Sequence, residues 1–429
     1  MKFTAAGDAI IQQRIHEDFE GFAELAPFIM QGDARFFNLE TTLNREGEAC
    51  GSQFSGGTYL RTAPEVLDDL KRFGFNMTSF NNNHALDFFY TGFESTLRAV
   101  EASGLVHSGA GRNLAEASAP HYLETPNGRV ALISVNTSFD PSMMAGEQSP
   151  RVPGRPGING VRLDRYIELP PEEMAHIRRI AAATGINASK EIIRKEGYYP
   201  ELAGNECELG DMKFVQGDEP RYVMKAKEED IARIERAILE AQLGADYIIV
   251  SVHSHQLSGT EKENPAEFLR LLAHRLIDAG AHAIVGHGPH LLRPIEVYRE
   301  CPIFYSLGDF VLQLYSIELA PEDFFAKHGL TSASTVHELL RKRSQDFKVG
   351  LMTDPRMFRA VIPLWETEGT RLRRLTLMPI EMRMDGHKSA IGLPRRSYDP
   401  AIADYLAAMC EPYGTRITRS EDGLLLCEW

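Results

Sequence analysis

The sequence predicts an α/β layered fold, on two observations. Short apolar runs that read as strands alternate with stretches of helical periodicity along most of the chain, the pattern of a strand–helix layered architecture. Five of those runs also end in polar signatures: Asp8, Asn38 with Glu40, Asn83 with His84, His253 with His255, and His287 with His290. Loops beyond the carboxyl ends of strands in such a sheet converge on the ligand crevice. Chemistry-bearing side chains at so many equivalent ends point to one shared site.

Taken in order, 2–6 reads as a strand ending at Gly7-Asp8, and 35–37 as a second ending in Asn38-Leu39-Glu40-Thr41. Between them Phe19, Phe22, Leu25 and Ile29 stand near helical spacing. Residues 46–62 read as a flexible glycine/serine loop, and Ser55-Gly56-Gly57-Thr58 within it offers backbone N–H groups suited to a carboxylate or phosphate. Pro64 opens a helix with Val66, Leu67, Leu70 and Phe73 on one face. A strand over 76–80 runs into Asn81-Asn82-Asn83-His84 and on to Asp87, and a helix follows over 92–103. The Asn127-Gly128 turn joins 122–124 to 130–135 as a hairpin.

From 137 the composition shifts to Pro, Gly and Ser, then to charge with weak periodicity. The whole stretch 137–228 reads as an insertion or lid on a single domain spanning 1–429. The strand–helix rhythm then resumes. Ile231, Ile234 and Ile238 share a helix face, and 247–252 is a strand ending at His253-Ser254-His255. A helix bearing Phe268, Leu272 and Leu276 leads to the strand before Gly286-His287-Gly288-Pro289-His290. Residues 302–307 read as a strand ending in Gly308-Asp309, and 313–429 as a C-terminal extension packing on the core.

The net charge of −14 argues against sequence-independent binding to nucleic acid or an anionic membrane, both of which need clustered cations, while leaving room for a local basic pocket. No apolar run reaches the roughly 18 residues of a spanning helix, and the N-terminus lacks a signal-peptide apolar region. Five scattered cysteines fit a reducing cytosol, so the expected location is cytoplasmic.

Gly7-Asp8, Asn38-Leu39-Glu40, Asn82-Asn83-His84 with Asp87, Val252-His253, Gly286-His287-Gly288-Pro289-His290 and Phe304-Tyr305-Ser306-Leu307-Gly308-Asp309-Phe310 occur in the order seen in the CapA family of bacterial capsule, or poly-γ-glutamate, synthesis proteins. The resemblance covers about residues 1–312. It implies the metallophosphoesterase (calcineurin-like) fold, a four-layer sandwich of two mixed β-sheets flanked by helices, with strand-end ligands for two metals that activate water. This chain has Ile10 where the superfamily's first motif has His, and Asn38 with Glu40 where the second has a bridging Asp. Carried over residue by residue, Asp8, Glu40, Asn83, His253, His287 and His290 remain as ligands for Mn, Fe or Zn. That set under-supplies a metal pair.

The catalytic candidates are Asp8, His84, His287 and His290, with His84 as acid or oxyanion contact and Asp87 orienting it. Asn38, Gly56, Gly57, Asn82, His255 and Arg293 are the candidate substrate contacts, while Asp309 reads equally as structural or functional. The leading expectation is metal-assisted hydrolysis or acyl transfer on an amide, γ-glutamyl or peptide substrate. One alternative is a metal- and cofactor-independent isomerase, epimerising a peptide α-carbon with an Asp8–His couple. Another is a non-catalytic polymer- or peptide-binding accessory protein. The expected partner is a peptide or polyglutamate-like substrate, with no nucleic acid and no membrane; the sequence leaves the oligomeric state open.

Overall fold

The computed structural model, which describes every residue except 54 and 56, contains two compact units: Met1–Val161 with Asp230–Trp429, and Arg162–Glu229.

The first unit is built on the strand Lys2–Ile10. Its alternation sends Phe3 and Ala5 to one face and Ala6 to the other, as the two-residue period of a strand requires. Ala34–Leu39 and Asp309–Leu312 pair with it in parallel and Arg359–Glu368 pairs antiparallel, placing Phe3 opposite Trp365. The sheet continues through Met77–Ser79 and Val106–Ser108 on one side and Arg371–Met382, Leu425–Glu428 and Arg416–Arg419 on the other. The strands beyond 358 are therefore members of this sheet, where the sequence suggested an extension packed upon it.

A second sheet runs in the order Ile295–Tyr298, Cys301–Phe304, Ala283–His287, Tyr247–His253, Gly128–Asn136, His121–Thr125. Its four central strands are parallel, with an antiparallel hairpin at each end. Phe3, Ala5 and Phe36 of the first sheet share one core with Leu132, Tyr247, Ile249, Val285 and Phe304 of the second. Phe3 stacks on Tyr247 at 4.1 Å and on Trp365 at 5.2 Å between ring centres. Side chains of this size contribute about 2–3 kcal/mol each when fully buried. The other face of the first sheet carries Ala6, Phe37 and Leu39, packed with Leu25, Leu70, Phe93 and Leu97 from helices Glu20–Ile29, Val66–Arg72 and Phe89–Ser103. The result is a mixed α/β sandwich.

Two departures from the sequence reading shape the site. The first strand continues to Ile10, with an irregularity in register between Asp8 and Ala9, the kind of local break found beside functional sites. Residues 302–309 are not one strand. Cys301–Phe304 belongs to the second sheet and Asp309–Leu312 to the first, the chain crossing between them at 305–308. Apolar periodicity cannot show such a crossing, because both segments are buried throughout.

The second unit has a sheet in the order Glu206–Leu209, Met212–Gln216, Leu163–Leu169, Arg221–Ala226, with helices Pro171–Thr184 and Ala188–Lys195. Pro171 opens the first helix, with Glu172 and Glu173 at its positive end. Met174, Cys207 and Phe214 form a small core of its own. Residues 137–161, which the composition joins to this stretch, belong to the first unit.

Candidate functional site

The first sheet supplies the carboxylates. Asp8 lies opposite both Asn38 and Asp309 in the parallel ladder. A Cβ on Gly7 would come 1.7 Å from the Gly308 carbonyl oxygen, so only glycine lets these strands close beside Asp8. Asp8 Oδ1 accepts from Asn38 Nδ2 at 2.7 Å, and Oδ2 from the Gly288 N–H at 2.8 Å. Glu40 follows its strand by one residue. It is fully buried, and neither carboxylate oxygen has a hydrogen-bond partner among the described residues.

The second sheet supplies the imidazoles. His253 and His287 stand in register on neighbouring parallel strands, which brings their Nδ1 atoms to 2.9 Å. The hydrogen-bond chain assigns their tautomers. Asn83 Oδ1 accepts from His253 Nε2 at 2.7 Å, leaving His253 Nδ1 to accept from His287 Nδ1, and His287 Nε2 to accept from Ser251 Oγ at 2.7 Å. His255 Nε2 lies 3.1 Å from His253 Nε2 and 3.3 Å from Asn83 Oδ1. Gly288, at φ +117°, would be strained by any side chain, and a Cβ there would crowd the Ser254 nitrogen at 3.0 Å and the His253 ring at 3.2 Å. The turn then holds His290 at φ +59°, a strained conformation for this residue type, and its Nδ1 bonds Asp309 Oδ1 at 2.9 Å.

Above this layer lies a cavity of about 610 Å³, walled on the site side by Asn83, His84, His255 and His290. Asp8, Glu40, His253 and His287 are fully buried beneath it. His84 Nδ1 bonds Asp87 Oδ2 at 2.7 Å, and the same oxygen accepts from the Leu60 N–H at 2.8 Å.

The charges follow from burial and neighbours. Burial opposes the Asp8 carboxylate, but the imidazoles of His287, His253 and His290 outweigh it and hold its pKa well below the ordinary range. Glu40 is pushed well above its ordinary value by burial and by the carboxylates of Asp8 and Asp309. Burial and neighbouring imidazoles depress His253 strongly and take His255 down to about 3. For His290, Asp309 and Asp8 overcome burial and raise the pKa; burial pushes Asp309 up to about 6. Neutral and charged partners thus sit side by side, as acid–base and metal sites require.

Three overlapping groups have metal-ligand spacing: Asp8–His253–His287, Glu40–His253–His255 and Asp8–His290–Asp309. The donors suit a divalent ion, and the partnerless oxygens of Glu40 and Asp309 Oδ2 are the atoms a cation would satisfy. Asp309, which the sequence leaves open, and His255, expected as a substrate contact, both stand among the possible ligands. The sequence signals for Asp309 are its place at a strand end, in a second Gly-Asp pair that echoes Gly7-Asp8, and in the last of the family-like motifs. Ser251 carries no signal at all.

Other expected substrate contacts face inward. Asn38 Nδ2 is spent on Asp8 while its buried Oδ1 has no partner among the described residues, and Asn82 donates to the Leu39 carbonyl at 2.7 Å while its oxygen accepts the His84 N–H. Gly57 lines the cavity, but its N–H donates to Ser55 Oγ at 3.3 Å; Gly56 lies outside the described residues. Arg293, fully buried in the cavity lining, gives its N–H groups to the carbonyls of Lys262, Ser254 and His255. It braces the loop that carries His255.

The family profile described as bacterial capsule synthesis protein PGA_cap matches residues 2–314. An uncharacterized protein of Sinorhizobium fredii, y4sH, is 33% identical over 97% of this chain and 90% of its own length. The capsule biosynthesis protein CapA of Bacillus anthracis is 22% identical over 72% of this chain and 59% of its own. A probable polyglutamine synthesis accessory protein of Mycobacterium tuberculosis is 26% identical over 65% of this chain and 55% of its own. Among solved structures, a hypothetical protein from Thermus thermophilus aligns with 89% of this chain and 99% of its own at a TM-score of 0.39 and 13% identity.

Proposed function

The chain belongs to the PGA_cap (CapA) family of bacterial capsule synthesis proteins, and from that premise we propose that it is a metal-assisted hydrolase or acyl transferase acting on an amide bond of a γ-glutamyl or peptide substrate. The reading takes the two sheets and their outer helices as the four-layer metallophosphoesterase arrangement. It carries over the capsule- and polyglutamate-related role in the relatives' names as the context of the reaction.

One observation carries it: the buried Glu40 carboxylate, without a hydrogen-bond partner, has Oε1 3.8 Å from both His253 Nε2 and His290 Nε2. An isolated buried carboxylate costs several kcal/mol of desolvation, about what a bound cation offsets. Glu40, Asn83, His253 and His255 would hold one ion, His253 giving up the Nε2 proton that it otherwise donates to Asn83, and Asp8, His290 and Asp309 offer a second set. Such an ion would supply Lewis acidity toward the scissile carbonyl, whose carbon bonds to water in hydrolysis or to an acceptor amine in transfer as its C–N bond breaks. The chain's own groups do the rest. His84, its Nδ1 fixed on Asp87, presents Nε2 at the cavity wall to protonate the departing amine. Gly288 and Asn38 lock Asp8, and Ser251 locks His287, so the layer under the wall is preorganised. We also place the protein in the cytoplasm, since its five cysteines are free thiols and four are buried.

A second reading, a metal-independent isomerase, draws on a separate observation. Two carboxylate-bound imidazoles, His84 on Asp87 and His290 on Asp309, face one cavity. They would remove and return an α-proton, His290 working as a couple with Asp8, whose Oδ2 lies 3.8 Å from His290 Nδ1. The deciding test is metal content per chain by mass spectrometry, on protein purified without chelator or metal-affinity tag. About one or two equivalents of Mn, Fe or Zn, lost in Glu40→Gln and Asp8→Ala, supports the hydrolase. A folded, metal-free protein that exchanges an α-hydrogen for solvent deuterium sinks it in favour of the isomerase.

A further inference from the structure

The cavity over the imidazoles has a far wall that the site chemistry does not use. It comes from residues 314–352, including helices Glu322–Lys327 and Val336–Arg343, and all of it after Leu314 lies beyond the stretch that the family profile matches. Leu314, Tyr315, Phe324, Leu340, Phe347 and Leu351 face the space. Tyr315 is half exposed, with its ring 6.4 Å from that of Phe347. Lys262, Lys327 and Arg343 stand on the same lining, Arg343 lying over the Phe324 ring at 5.5 Å. Among the described residues the lining holds no aspartate or glutamate, although the chain as a whole carries a net charge of −14.

A cavity apolar along one wall and exclusively cationic in its charges selects an amphipathic anion. A ligand bearing only carboxylates would leave the aromatic wall facing water, and a neutral apolar ligand would leave the cations unused. We propose that the substrate is a peptide in which a carboxylate stands beside a large apolar side chain, not a uniform polyglutamate run. The inference rests on the cavity being the route to the proposed site. The carboxylate is either the peptide's terminus or the free α-carboxylate of a γ-linked glutamate.

The test is calorimetric binding to the full-length protein of five probes: N-acetyl-γ-glutamyl-phenylalanine, its C-terminal amide, its isoglutamine counterpart, N-acetyl-γ-glutamyl-alanine, and tri-γ-glutamate. The phenylalanine acid is expected to bind at least about 10-fold tighter than the alanine probe and tri-γ-glutamate. A similar loss on capping identifies the terminal carboxylate as the anion, and a loss with isoglutamine identifies the γ-linked one. Phe347→Ala should bring the phenylalanine/alanine ratio toward one. Equal or tighter binding of tri-γ-glutamate overturns the proposal, as does equal binding of the phenylalanine and alanine probes, or no binding by any of the five at roughly 1 mM. Metal content, read on the same samples, keeps the two readings apart. A metal-loaded protein that prefers tri-γ-glutamate removes only the substrate class, and a metal-free one that prefers the phenylalanine acid removes only the metal.

Discussion

Glu40 is the side chain whose surroundings least suit a protein without a cation. It is buried, and the burial together with the carboxylates of Asp8 and Asp309 holds its pKa well above the ordinary range, so without a cation it is kept from ionising. Glu40→Gln removes the titratable carboxyl at nearly constant volume. In metal-stripped protein at neutral pH the variant should be more stable than the parent by about 1–2 kcal/mol, because the cost of suppressing that ionisation on folding is lost. In protein purified with its metal it should carry little. Calorimetry and mass spectrometry read the two effects; a less stable variant with full metal content would reverse the role assigned to Glu40. The sequence can nominate this residue but not its isolation, which depends on what the neighbouring strands leave unpaired. Asn38 shows the converse. It sits two residues from Glu40, its Nδ2 is taken by Asp8 while its Oδ1 is left without a partner among the described residues, and it carries no charge for that isolation to act on; no spacing argument distinguishes the two.

At the scale of elements, strand ends are readable because apolar runs stop at polar residues, and the turn chemistry of Gly288 is local. The crossing at 305–308 is not readable, since it moves a buried chain from one sheet to the other without a change of composition. One element contact sets a pH dependence. His282 Nδ1 accepts the Ile248 N–H at 2.9 Å at the start of the strand Tyr247–His253, which requires a neutral ring. Burial lowers its pKa from 6.5 to about 4. A depressed folded-state value means that the stabilisation is present above pH 6.5 and is lost as the pH falls toward 4. Because the ring is partly exposed, the effect is on the order of 1 kcal/mol after solvent screening. Urea unfolding at pH 7 and pH 5 should therefore show His282→Asn losing less stability on acidification than the parent; parallel losses would remove His282 from the account.

At the scale of the molecule, the unit Arg162–Glu229 leaves and rejoins the first unit through ends that are tied together. Lys227 N–H donates to the Arg162 carbonyl at 2.9 Å, and Arg162 pairs with Glu229 at 2.6 Å. Replacing 163–228 by a short glycine-serine link should leave the remaining chain folded, with its metal content intact, because none of the site donors lies in the excised stretch. An insoluble or metal-free product would show that the first unit depends on the second. The sequence locates this interruption by its weak periodicity but puts its start at 137, since proline- and glycine-rich loops look alike whether they precede a new unit or close the old one.

The division of labour between the sheets has a last consequence. Acids come from one layer and imidazoles from the other, so anything held by both fastens the layers together like a rivet. Occupancy and mechanical integrity then become a single observable: an ion present at a hundredfold over its dissociation constant adds about 2.7 kcal/mol to the folded state. A melting-temperature screen of Mn, Fe, Zn, Mg and Ca against stripped protein should rank the cations by that gain, with Mg and Ca lowest for a nitrogen-rich cage. A flat ranking would mean that the layers are closed without a rivet. The fold is thereby its own gauge of what it holds, readable before any substrate is known.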